Sequence, residues 1–393
     1  MYFSRKILKE IEKHLKSRQI IVLTGMRRSG KTTAFRMIYE KINSENKVFL
    51  DLENPLDQKI FEEKDYNNIW ANLRPYGITP QKKSYVFIDE IQDKPEITKT
   101  IKYLYDHYPV KFFLTGSSSF YLKNLFPESL AGRKFIFELY PLDFEEFLMF
   151  KRRKKEFKAE FKDKEKAGNS VVCERFKKLY DEYLDYGGFP QVVLEESALL
   201  KKSNLSDIFK SYFEKDVRGL ADFKNISAFR DLILLLLGRA GAKLDVSKLA
   251  KEVGVSRETV YSYLSFLEAT YFIKLVQPYS RNVDREVSGA RKVYICDNGF
   301  ISQFSRSSEG SLLENAVWQN IRRRGEIKYY QKRSGPEIDF IVDGKIALEV
   351  KQKGGDYDYA KLAALAKSLK IKEYYVVSRK FAEGKGIIPA VEV

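Results

Sequence analysis

Eight residues near the start of the chain, Gly25-Met26-Arg27-Arg28-Ser29-Gly30-Lys31-Thr32, place glycine, lysine and threonine at the spacing GxxxxGK[ST]. That spacing suits a polyphosphate: glycines let backbone amides curl around an anion, and a following helix adds partial positive charge from its N-terminus. Lys31 is expected to reach the β and γ phosphates and Thr32 to ligate magnesium through its hydroxyl. The candidate nucleotide-binding residues are Gly25, Arg28, Ser29, Gly30, Lys31, Thr32 and Thr33. Hydrolysis also needs a metal anchor and a group that orients water, and the run Tyr85-Val86-Phe87-Ile88-Asp89-Glu90 ends in both. Asp89 is the expected magnesium anchor and Glu90 the expected catalytic carboxylate. A third apolar run, 111–117, ends in Thr115 and Ser117, candidates to contact the terminal phosphate or the water.

These groups must be held by particular elements. The apolar run 20–24 reads as a buried parallel strand, and 33–42 as the helix whose N-terminus faces the phosphates. Asp89 and Thr115 then fall at the carboxyl ends of two further strands.

A second constellation lies in the last ninety residues. Segments 327–331, 337–342 and 346–351 read as consecutive strands, followed by a helix over 359–369 and a strand over 373–377. Glu349 and Lys351 are two apart on a strand, so both point to one face and can meet Asp339 on the adjoining strand. Glu314, on a helix over 312–323, adds a third carboxylate. Glu314, Asp339 and Glu349 are candidate ligands of Mg2+ or Mn2+, with Lys351 acting on the attacking water. Lys332, Arg333 and Lys353 suit a phosphate backbone nearby.

Between the two constellations the chain is more helical. The charge run 151–166 reads as an exposed linker or a helix extension. An amphipathic helix over 176–185 ends at Gly187-Gly188-Phe189-Pro190. Residues 243–267 form a helix-turn-helix pattern: a helix over 246–253, a tight turn at Gly254, and a second helix capped by Ser256. Val260, Leu264 and Leu267 face inward there, leaving Arg257, Tyr261 and Ser262 outward. The segment 272–277 reads as the first strand of a wing.

GMRRSGKT, YVFIDEIQD, FFLTGSSS, SLAGR at 129–133 and LYPLDFEEFL at 139–148 together resemble prokaryotic AAA-type ATPases. The resemblance covers about the first 150 residues. It implies that the chain continues through a helical lid and a winged helix into a C-terminal domain, that Pro190 touches the nucleotide base, and that Arg133 acts on a neighbouring subunit's γ phosphate as an arginine finger. The C-terminal strand and helix order resembles the restriction-endonuclease-like core.

The expected fold class is therefore α/β. It comprises a P-loop AAA-type parallel-sheet core over 1–150, a linker and helical lid over 151–240, a winged helix over 241–305, and a restriction-endonuclease-like domain over 306–393. A chain of 393 residues suits several domains, and 44% hydrophobic residues can fill their cores. Seventy basic residues against 54 acidic ones give a formal charge of +16, which favours polyanionic partners, nucleic acid first. Two distant cysteines and two histidines point to a reducing cytoplasm and exclude a histidine-rich metal site. The longest apolar run is too short to span a bilayer, so no membrane is expected. The expected protein is a magnesium-dependent, ATP-hydrolysing homo-oligomer that couples nucleotide state to DNA binding or processing. The alternative is a signalling switch or transcription regulator with an inactive tail.

Overall fold

The computed structural model describes residues 2–116, 132–217, 225–280, 286, 289–332 and 335–393. Ser117, Ser129 and Arg333 lie outside the described residues. The chain divides into two compact units, one of residues up to Tyr140 with Ala269–Tyr271, the other of Pro141–Glu268 and Phe272–Val393.

The first unit is built on five strands, β1 (Ile20–Thr24), β2 (Lys47–Asp51), β3 (Ser84–Asp89), β4 (Val110–Gly116) and β5 (Lys134–Glu138), in the order β2-β3-β4-β1-β5. All neighbouring pairs are parallel. Among the described residues five α-helices accompany them: α1 (Lys6–Glu12), α2 (Lys31–Lys41), α3 (Pro55–Lys59), α4 (Ile69–Leu73) and α5 (Ile97–His107). β1 and β4 are buried along their whole length, as strands covered on both faces must be. One core layer joins Phe35 and Ile38 of α2 to Phe87 and Phe113 of the sheet, and the other joins Ile97, Ile101 and Leu104 of α5 to Val22, Ile88 and Leu114.

The second unit begins ten residues earlier than the expected boundary at 150. Helix α6 (Phe144–Phe150) belongs to it because Phe144 packs edge-on against Tyr180, ring centroids 4.8 Å apart, on α8 (Ser170–Tyr186). The expected linker 151–166 is likewise integrated. Helix α7 (Phe161–Ala167) packs on the last strand, and Lys155 pairs with Glu392 at 2.5 Å with both side chains almost wholly buried. Lys164 is also buried and donates to the Glu392 carbonyl. Two lysines of a largely exposed charge run become interior here because their partners lie near residue 392.

Further on lie α9 (Pro190–Leu194), α10 (Ala198–Ser211), α11 (Ile226–Leu237), α12 (Val246–Val253) and α13 (Arg257–Ala269). Gly254 closes α12 at φ 70°, and the Ser256 hydroxyl accepts from Thr259 N at 3.1 Å. Val260, Leu264 and Leu267 are buried while Arg257, Tyr261 and Ser262 are exposed. A two-stranded antiparallel sheet follows, β6 (Ile273–Val276) with β7 (Lys292–Ile295).

Helices α14 (Asn298–Phe304) and α15 (Glu309–Ile321) lead into β8 (Ile327–Gln331), β9 (Glu337–Val342) and β10 (Ile346–Lys351). α16 (Asp356–Ser368), β11 (Glu373–Ser378) and β12 (Ile387–Pro389) complete the unit. The sheet order is β12-β11-β10-β9-β8, antiparallel from β8 to β10 and parallel from β10 to β12. The three strands expected over 327–351 are present at those bounds. The lid, winged-helix and endonuclease-like segments do not separate: 141–268 and 272–393 form one unit.

Candidate nucleotide site and a second carboxylate cluster

β1, β3 and β4 run parallel, so their carboxyl ends share one edge of the first sheet, the edge at which such sheets bind ligands. At that edge β1 enters the loop 25–30. Gly25 sits at φ +149°, and a Cβ there would fall 2.0 Å from the Leu139 carbonyl oxygen, so no side chain fits. Gly30, at φ 98°, turns the loop into α2. Arg28 also adopts a positive φ of 64°, while Thr32 and Thr33 lie in the first turn of the helix.

Lys31 is buried, and its ammonium donates to the loop's own carbonyls, Gly25 O at 3.0 Å and Met26 O at 3.2 Å. The loop is braced from outside by Arg5. This buried guanidinium donates to Ser29 O at 2.9 Å and Tyr140 O at 2.7 Å. The Ser29 hydroxyl is buried with no hydrogen-bond partner, a donor placed where an anion's oxygen would satisfy it.

Asp89 ends β3 and is buried. Burial pushes its carboxyl above the ordinary value, hydrogen bonds from the Thr115 and Thr32 hydroxyls pull it down, and Glu90 and Lys31 act in opposite directions on it. Thr115 has a second task, since its oxygen accepts from Glu90 N at 3.1 Å while its proton goes to Asp89. One hydroxyl therefore sets both carboxylates. Glu90 itself holds φ 52°, a left-handed conformation that a non-glycine residue adopts only when its surroundings impose it. Its carboxylate accepts from Gln92.

The residues present fit a magnesium–nucleotide pair. The Thr32 hydroxyl lies near enough to the Asp89 carboxylate to pull it down, which brings two hard oxygens to one place. Among the described residues no three His, Cys, Asp or Glu side chains converge as a metal cage. Magnesium needs none, because it keeps several waters and is usually shared with substrate phosphates.

Arg133 lies elsewhere. It precedes β5, and its carbonyl accepts from Ile20 N at 2.7 Å, at the amino end of β1. Five residues of strand, about 16 Å at roughly 3.3 Å each, separate that end from the phosphate loop. Its Nε pairs with Asp106 at 3.1 Å. Pro190 occupies the first turn of α9, in the second unit, where proline suits a helix start.

In the second unit Glu314, Asp339, Glu349 and Lys351 do come together, with three residues that sequence reasoning missed. Lys292 of β7, 4% exposed, places its ammonium 2.9 Å from Glu314 Oε1, 2.5 Å from Glu337 Oε1 and 3.5 Å from Asp339 Oδ1. Tyr294 donates to the same Glu314 oxygen at 2.7 Å. Asp339 Oδ2 accepts from Val350 N at 2.8 Å, and Lys351 Nζ donates to Glu349 Oε1 at 2.7 Å. Burial works against the charge on Lys292, but Glu314, Asp339 and Glu337 outweigh it and hold the ammonium above its ordinary value. Burial, with Asp339 beside it, pushes the Glu349 carboxyl up to about 7 against the pull of Lys351. This arrangement does not fit a divalent ion, since a lysine ammonium stands where the expected ligands meet.

Arg5, Gln92, Glu337, Tyr294 and Lys292 had no signal in the sequence. Each is an ordinary residue type whose partner is set by strand or helix packing.

Residues 17–148 match the model of the AAA domain, and residues 177–310 match a domain of unknown function. An uncharacterized protein of Methanocaldococcus jannaschii is 29% identical over 353 residues, covering 87% of this chain and 76% of that protein. One of Haemophilus influenzae is 29% identical over 337 residues, covering 82% and 79%. Among solved structures, a Walker-type ATPase of Pyrococcus abyssi is similar at a TM-score of 0.48 and 14% identity, covering 77% of this chain and 96% of that one. The ORC2 protein of Aeropyrum pernix is similar at 0.42 and 13%, covering 76% and 91%. The phosphate loop and the strand order agree with the match of residues 17–148 to the AAA domain: this part of the chain is an α/β P-loop domain similar to that of AAA-type ATPases.

Proposed function

We propose that the chain is a cytoplasmic, magnesium-dependent ATPase that works as a homo-oligomer and passes its nucleotide state to a nucleic-acid-binding second unit. The observation that carries this reading is the convergence of Lys31, Thr32, Asp89, Glu90 and Thr115 at one edge of the parallel sheet. Bound magnesium would supply charge neutralisation to the phosphates. Gly25, Arg28, Ser29, Gly30, Lys31, Thr32 and Thr33 hold the phosphates, Thr32 and Asp89 hold the metal, and Glu90 orients the attacking water.

Arg133 completes a neighbouring subunit's site. Its place at the amino end of the sheet supports that role, because it is turned away from its own phosphate loop. The helix pair α12–α13 with the β6–β7 hairpin serves as a winged helix. Exposed Arg257, Tyr261 and Ser262 on α13, with the net charge of +16, support contact with nucleic acid. The five-stranded sheet of the second unit acts as an endonuclease-like core that binds nucleic acid, a role that its two antiparallel and two parallel strand pairings are able to support.

ATP turnover measured with and without single-stranded, duplex and branched DNA tests the proposal. Hydrolysis raised several-fold by one DNA form is the expected result. A folded protein that binds ATP but shows equal rates in all four conditions would overturn the coupling, and one that binds no ATP would overturn the whole.

A further inference from the structure

We propose that Lys292 is the resident cation of the carboxylate cluster in the second unit, so that its endonuclease-like core works as a metal-free scaffold and does not cut nucleic acid. The inference rests on the endonuclease-like reading of that sheet.

Three carboxylates from two elements, Glu314 on α15 and Glu337 and Asp339 on β9, meet one ammonium on β7. Lys292 donates a hydrogen bond to Glu314 Oε1 and stands within ion-pair distance of Glu337 and Asp339, so one ammonium serves three carboxylates. The other oxygens that a metal would recruit are engaged: Asp339 Oδ2 by Val350 N, and Glu349 Oε1 by Lys351. Glu349 Oε2 is buried without a partner. Each of the four carboxylates is thus tied to an ammonium, Glu314, Glu337 and Asp339 to Lys292 and Glu349 to Lys351, so a divalent ion would have to displace or crowd a like charge to reach any of them. An ion entering between Glu314 and Asp339 would also stand beside a like charge that the cluster already holds at 2.5–3.5 Å.

The lysine has a second consequence. It belongs to the β6–β7 hairpin, whereas its partners belong to the C-terminal helix and sheet. The cluster therefore clips the hairpin to the sheet, where a nuclease would hold an ion open to substrate. Acids at this spacing on a strand pair are what a metal site needs, but the cation beside them comes from 47 residues before Asp339.

The test is Mn2+ binding by the full chain without nucleotide, read by the loss of free Mn2+ signal in electron paramagnetic resonance. Wild type and Asp339→Asn should bind the same number of ions. Lys292→Met, with Lys292→Gln as a second variant of milder polarity, should gain one ion per chain. Adding Asp339→Asn to either variant should abolish that gain. A wild-type ion lost in Asp339→Asn would overturn the proposal, and this comparison stands even if both Lys292 variants fail to fold. Folded Lys292 variants that gain no ion would also overturn it. ATP turnover of the wild type, recorded in parallel, separates failure of the ATPase reading from failure of this one.

Discussion

Removing the Thr115 hydroxyl without changing side-chain shape, as in Thr115→Val, tests whether one group sets both carboxylates of the candidate ATPase site. The hydroxyl donates to Asp89 and accepts from Glu90 N at 3.1 Å. A hydrogen bond to a charged acceptor contributes roughly 1.5–3 kcal/mol and a neutral one about 1 kcal/mol, so the substitution costs about 2.5–4 kcal/mol in total. Part of that appears as stability and part as misplacement of Glu90. If half falls on the reaction, kcat drops on the order of tenfold or somewhat more, because about 1.4 kcal/mol is a factor of ten. ATP affinity should change little, since neither bond involves the phosphate loop. Thr115 also lowers the Asp89 carboxyl, which burial raises. Its loss pushes Asp89 further up, so the acid limb of the pH–rate profile moves to higher pH. The assay is steady-state turnover across pH with thermal unfolding alongside, and Thr115→Ser as the rescue. Unchanged kcat and an unmoved acid limb, together with a fall in melting temperature, would refute the positioning role and leave Thr115 as packing alone.

Other perturbations separate the remaining roles. Lys31→Ala should abolish ATP binding, whereas Glu90→Gln should bind ATP normally and lose turnover; near-wild-type turnover in the latter would remove Glu90 from the mechanism. Mixing Arg133→Ala with Glu90→Gln subunits should restore part of the rate through interfaces that pair an intact arginine with an intact carboxylate, and no recovery at any mixing ratio would argue against a shared site. Glu349 is raised from 4.5 to about 7 in the folded protein, so its contribution to stability is full below pH 4.5 and is lost as pH rises through about 7. Glu349→Gln should therefore flatten the decline in chemical-denaturation stability between those pH values by up to about 3 kcal/mol, at about 1.36 kcal/mol per pH unit, and an unchanged slope would show that the carboxyl titrates normally. A fragment of residues 306–393 should lack cooperative unfolding, because it omits Lys292 and helices α7 and α8; a sharp transition would restore the tail as an independent domain.

What the sequence made legible follows from how local each feature is. The phosphate loop is eight consecutive residues, and its chemistry is fixed by backbone curvature that glycine alone permits at Gly25. Asp89 and Glu90 were readable for a similar reason: an apolar run must end at the sheet edge, and the first acids after it fall where ligands bind. The helix pair around Gly254 carried its own punctuation. Arg5 offered no such sign, because its work on the Ser29 carbonyl depends on a contact spanning 24 residues and on the turn that brings Tyr140 alongside. The charge run over 151–166 is largely exposed, as its composition suggests, but two of its lysines are not. Lys155 and Lys164 are buried by partners at Glu392, more than 220 residues away, and no window of local sequence contains that information.

The two carboxylate sites show the same limit from the side of function. Around Asp89 the acids are few, each is held by hydroxyls and an amide, and the nearest lysine spends its protons on loop carbonyls, leaving the carboxylate oxygens to hydroxyl partners. Around Asp339 the acids are many, yet an ammonium from β7 has taken their charge. Counting carboxylates on strands would rank the second site above the first as a metal centre. Following each oxygen to its partner reverses the order, because a hard cation needs oxygens whose lone pairs and charge are still available to it.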